Sequence, residues 1–126
     1  MNKAFYRIEV QVETCYIEEQ SIPEDEYYTF AYSVIIRNAG TEAAKLVSRH
    51  WYVTDANGGV QEVQGMGVVG EQPHLFAGQE FRYTSGVVIP TPVGTMHGAY
   101  TMATDAGEEF EVEIPAFRLA APNLIH

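Results

Sequence analysis

The chain has very little sulfur chemistry: a single cysteine, Cys15, among 126 residues. One thiol excludes an internal disulfide and fits a reducing compartment. Basic side chains are also scarce, with 7 Lys and Arg against 17 Asp and Glu, for a net charge of −10. Such a chain lacks the positive footprint that a phosphate backbone requires, and anionic lipid repels it. Nucleic acid and membrane surfaces are therefore not expected as partners. No stretch approaches the ~20 apolar residues of a membrane helix. The start, Met1 to Arg7, lacks the apolar core of a signal peptide. A cytoplasmic protein is expected. A sustained helical stripe is missing as well, which turns attention to strands.

The dominant period is two. Ile8, Val10 and Val12 alternate with Glu9, Gln11 and Glu13, the pattern of a half-buried strand. A polar loop from Glu18 to Glu26 follows. Tyr28, Phe30, Tyr32, Val34 and Ile36 then share one face of a second strand. A third strand spans about Lys45 to Thr54, with Val47, Trp51 and Val53 as its expected inward set. Asp55 to Gly59 reads as a tight connection to a short strand over Val60 to Gln64. Later strands carry Phe81 and Tyr83, then Met96, Tyr100 and Met102, then Phe110, Val112 and Ile114. The tail from Ala116 to His126 is expected to pack back through Phe117 and Leu119. Turn residues separate these runs. The pattern predicts one domain over residues 1–126, an antiparallel β-sandwich of about seven to eight strands.

Gly65-Met66-Gly67-Val68-Val69-Gly70 fits the spacing G-x-G-x-x-G. In dinucleotide folds that spacing works because a helix starts inside it and its N-terminus holds the pyrophosphate. Here Glu71-Gln72-Pro73 follows, with no helical period and a carboxylate beside the imagined phosphate. The glycines are instead expected to allow positive φ and close packing. Gly65, Met66, Gly67, Val68, Val69, Gly70, Glu71 and Gln72 form the candidate partner- or ligand-binding loop. Met66, Val68 and Val69 are its apolar candidates for protein contact.

Other clusters read as structural. His50, His74, His97 and His126 stand at no metal-ligand spacing. His50 and His97 share the wet parity of their strands, so a two-histidine pair is conceivable but disfavoured. Glu9, Glu13, Glu109, Glu111 and Glu113 read as solvated strand faces that discourage edge association. Ser85, in Tyr83-Thr84-Ser85-Gly86, is not in a nucleophile elbow. Cys15 is expected to be buried or incidental. No catalytic residue, metal ligand or cofactor is assigned.

The chain resembles the ApaG family, also called CorD, over nearly its whole length. The resemblance is carried by Arg49-His50-Trp51, by Glu62 through Pro73, and by Phe81-Arg82-Tyr83-Thr84-Ser85-Gly86. Thr91-Pro92-Val93-Gly94-Thr95-Met96 and Ile114-Pro115-Ala116-Phe117-Arg118-Leu119 continue it. Ala77-Gly78 departs from the Pro-Gly usual in such proteins. The resemblance implies a fibronectin type III-like or immunoglobulin-like sandwich and an association with cobalt resistance and magnesium efflux. It carries over no catalytic residues. The expected function is a non-enzymatic module that binds an unidentified protein partner. The alternative is a small-ligand module sensing a nucleotide, pyrophosphate or divalent cation through Gly65 to Gly70. A homo-oligomer is compatible with the sequence and not readable from it.

Overall fold

A computed structural model describes residues 6–122; His126 lies outside them. Eight strands follow one another: β1 (Ile8–Tyr16), β2 (Tyr28–Asn38), β3 (Ala44–Asp55), β4 (Val60–Met66), β5 (His74–Leu75), β6 (Glu80–Ile89), β7 (Val93–Thr104) and β8 (Glu109–Ala120). Two short 3-10 turns interrupt the loop between β1 and β2. All pairings are antiparallel. One sheet has the order β1-β2-β6, and the other β4-β3-β7-β8 with β5 also paired to β3. The two pack face to face as the expected β-sandwich.

The alternating residues of the second strand, Phe30, Tyr32, Val34 and Ile36, are all buried. They face Leu46, Trp51, Val53, Met96, Tyr100 and Met102 from the opposite sheet. Trp51 is at the centre, with Tyr32, Tyr100 and Phe117 edge-on or tilted around it. Such aromatic packing adds about 0.5–1.5 kcal/mol per pair beyond area burial.

One expectation needs correcting and another holds by a different route, both because of a β-bulge. In β3, Val47 is not an inward residue. The register with β7 runs Leu46↔Met102 and then Ser48↔Thr101, so β3 holds one extra residue at Val47. This bulge reverses parity: Ala44 and Leu46 face inward before it, and Trp51 and Val53 after it. The described chain after Ile114 does pack onto the core through Phe117 and Leu119 as expected, though as part of a strand and not as a separate tail. It continues β8 through a second bulge, where Gly98↔Ile114 is followed by Met96↔Phe117. Pro115 sits in that irregularity, a place on an edge strand where its missing N–H costs least. Parity passes from Ile114 to Leu119, both buried. Cys15 is exposed, so of the two readings offered for it the buried one falls.

A side-chain to side-chain bond joins the sheets inside the core. The hydroxyls of Tyr83 on β6 and Tyr100 on β7 bond to each other. Burial pushes both above the ordinary phenol value of 10.0. A raised folded value means that the unfolded chain loses these protons first. Stability is therefore complete below pH 10 and declines above it, by roughly 1.4 kcal/mol per pH unit for each tyrosine. Urea unfolding between pH 9 and pH 11 should show that decline. Replacing both residues by Phe should flatten it, at little cost at neutral pH because donor and acceptor leave together.

Candidate functional site

The glycine segment takes its shape from the Val47 bulge. The carbonyl of Val47 accepts a bond from the Gly67 N–H at 2.8 Å and another from Gln72 Nε2 at 2.9 Å. Next door, the Leu46 N–H donates to the Pro73 carbonyl at 2.9 Å. Both legs of the segment are thus tied to one place on β3. Gly65 and Met66, expected in a loop, complete β4 instead.

The tip is a two-residue hairpin. Val68 and Glu71 exchange backbone bonds of 2.8 and 2.9 Å. Between them Val69 has φ 43° and Gly70 φ 81°. Positive φ at both central positions marks a type I′ turn, which favours Asn-Gly. Val68 is fully buried and anchors the hairpin in the core. It is therefore removed from the expected contact surface, because no partner reaches it. Met66 at 67% and Val69 at 53% stand exposed, and Glu71 and Gln72 are exposed beside them.

Arg49 was not singled out as a site residue from the sequence, yet it organises the base of the hairpin. Its Nη1 donates to the carbonyls of Met66 at 3.2 Å and Gly67 at 2.9 Å. Gly65 makes room for it: a Cβ there would lie 2.7 Å from Nη1. A signal did exist. Arg49 shares the parity of Trp51 and Val53, and an inward-facing charge in a strand requires partners.

Beside Arg49 the sandwich is open. The edges of β4 and β6 run along this side, bridged by a bond from Gln61 Nε2 to the Val88 carbonyl at 3.0 Å. A cavity of about 120 Å³ lies in the seam, lined by Arg49, Trp51, Val63, Ser85 and Val87 among others. Trp51 is 1% exposed, and its Nε1 donor has no acceptor. Ser85 has no histidine among these lining residues.

The paired histidines of the sequence reading do come to one face, but the Tyr52 ring stands between them. It stacks on His50 at 4.6 Å and on His97 at 5.0 Å. His50 Nε2 meets Glu62 Oε2 at 2.6 Å, and Gln64 Nε2 donates to the same oxygen at 2.8 Å. These bonds, from Gln64 first and His50 second, hold the Glu62 carboxyl below its usual value. His74 pairs separately with Asp105 at 2.7 Å. Among the described residues no group of three or more His, Cys, Asp or Glu is placed to share a cation.

The hairpin's chemistry follows from its bonds. A phosphate cradle needs converging free N–H groups and positive potential. The N–H groups of Gly67, Val68 and Glu71 are already donated within the protein. The guanidinium of Arg49 is turned to backbone carbonyls. What remains outward is a tight turn that presents the apolar Met66 and Val69 beside the polar Glu71 and Gln72.

The glycines are not equivalent. Gly67 has φ 65°, and a Cβ there would overlap the Glu71 carbonyl. A Cβ on Gly70 would meet nothing within 4 Å. Gly67→Ala should therefore cost at least about 2 kcal/mol, and Gly70→Ala only about 1 kcal/mol for its left-handed backbone. Urea unfolding of the two variants measures the difference.

Comparison with known proteins places this arrangement. The ApaG domain pattern matches residues 18–104. The Protein ApaG of Azoarcus sp. (strain BH72) is 60% identical over 121 residues, covering 96% of this chain and 95% of the relative. That of Acidithiobacillus ferrooxidans (strain ATCC 53993 / BNL-5-31) is 58% identical over 119 residues, covering 94% of each. A crystal structure from Bordetella pertussis carrying the name ApaA superposes with a TM-score of 0.91 at 49% identity, over 94% of this chain and 96% of that one. The chain belongs to the ApaG family.

Proposed function

We propose that this protein is a non-enzymatic, cytoplasmic module that binds another protein through the outer side of the Gly65–Gln72 hairpin. One observation carries the reading. Val69 is a β-branched residue held at positive φ and 53% exposed. That backbone conformation costs a β-branched residue on the order of 1–3 kcal/mol, and type I′ turns favour Asn at the position. Core packing does not require a valine there, because the side chain faces solvent. Strain kept at an exposed apolar tip is accounted for by a surface that must present that side chain. Met66 adds a second exposed apolar group on the same segment. The rest of the hairpin is already bonded in place, so little entropy is lost when a partner docks.

The rival reading, a nucleotide or pyrophosphate sensor, meets N–H groups of Gly67, Val68 and Glu71 that are already donated, and a stretch from Val60 to Phe81 without Lys or Arg. The cobalt and magnesium association implied by the resemblance is then relayed through the partner.

Val69→Asn separates fold from function. It should raise stability by about 1 kcal/mol, because Asn tolerates the left-handed region. It should also weaken capture of partners from native cell extract. Thermal unfolding and a quantitative pull-down measure the two. Undiminished capture by Val69→Asn and by Met66→Glu would remove the hairpin from the contact surface.

A further inference from the structure

The seam between β4 and β6 has a property beyond its cavity. In an antiparallel ladder, residues alternate between exchanging bonds with the partner and turning N–H and C=O away. Just before β4, the Asp55 N–H donates to the Gly59 carbonyl; just after it, Gly67 donates to Val47. Between these points the register is unbroken, from Thr54↔Val60 to Ser48↔Met66. The odd residues Gln61, Val63 and Gly65 therefore bond to β3. Val60, Glu62 and Gln64 turn their backbone groups to the outer edge, where no strand is paired among the described residues.

Sheet edges are normally protected. β8 carries Glu109, Glu111, Glu113 and the Pro115 irregularity. β1 lies against β8, with Thr14 Oγ1 bonded to the Arg118 carbonyl at 3.3 Å. β4 has no proline, no lysine and no bulge; its one charged residue is Glu62. No Lys or Arg occurs from Val60 to Phe81, whereas Glu62, Glu71 and Glu80 do, in a chain of net charge −10.

We propose that β4 receives an extended basic segment of a partner protein as an added strand, its outward side chains Lys or Arg and its inward ones small hydroxyls. The outward set runs past Glu62, whose carboxylate charge complements it. The inward set lies over the seam, where the cavity of about 120 Å³ accepts a side chain of threonine size. Trp51 is in the lining, and its Nε1 donor has no acceptor within the protein. Backbone bonds give such a complex its affinity, and the alternating side chains its selectivity. This inference rests on the protein-binding reading and adds a mode and a partner chemistry to it.

The test uses the full chain and a short capped peptide alternating Lys and Thr. Amide exchange at Glu62 and Gln64 should slow by roughly ten-fold or more at saturation, since those N–H groups become bonded. Resonances of Val60 to Gln64 and of Ser85 to Val87 should shift. Affinity should fall roughly ten-fold or more, about 1.4 kcal/mol, when Glu replaces Lys in the peptide or when its alternate amides are N-methylated. Gln64→Pro removes an N–H that faces away from β3, so it should leave the fold and abolish binding. Glu62→Lys changes no backbone group and should lower affinity for the Lys-Thr peptide if Gln64→Pro proves unfolded. Equal binding of the N-methylated peptide, or shifts without protection at Glu62 and Gln64, would overturn the added strand and indicate adsorption by charge. Loss of captured partners in Val69→Asn together with no β4 protection would leave the hairpin reading standing and remove this one. Protection at β4 with capture indifferent to Val69 would sustain the added strand and remove the hairpin.

Discussion

One extra residue in β3 sets much of the architecture. The bulge at Val47 reverses which side chains face inward, so that Trp51 and Val53 enter the core along with Leu46. It also turns Arg49 toward the base of the hairpin. The displaced carbonyl of Val47 then serves as the attachment point for both legs of the glycine segment. Removing the extra residue would send Trp51 to solvent and leave Gly67 and Gln72 without their acceptor. Core and candidate site are thus consequences of the same local geometry.

Strands with one clean face were legible in the sequence. Tyr28 to Ile36 alternates without interruption, and every buried residue of β2 between Phe30 and Ile36 follows that alternation. The expectation failed where the period slipped. Val47 and Leu46 are both apolar, so their sequence does not say which one is displaced by a bulge. Pro115 was a readable warning of irregularity in β8, but it also permitted the reading of a strand end. The difference lies in β7, whose Met96 and Thr95 supply partners for Phe117 and Arg118. Non-local pairing of that kind is not encoded in the local period.

The site was legible in part. Glycine spacing identified the segment and its need for unusual backbone, which holds at Gly67 and Gly70. It did not distinguish the buried Val68 from the exposed Val69, because both are valines in adjacent positions. Nor did it give the reason for Gly65, which lies in the length of the Arg49 side chain rather than in torsion angles. The stacking of Tyr52 between His50 and His97 depended on the register Tyr52↔His97, again a long-range fact.

The two sides of the sandwich are closed in different ways. The first and last strands, β1 and β8, meet on the side away from β4 and β6. Chain leading into β1 or out of β8 therefore joins the sandwich at its shut side. A domain fused at either place would be tethered behind the open seam. The exposed strand edge of β4 thus keeps a clear approach on the side opposite β1 and β8.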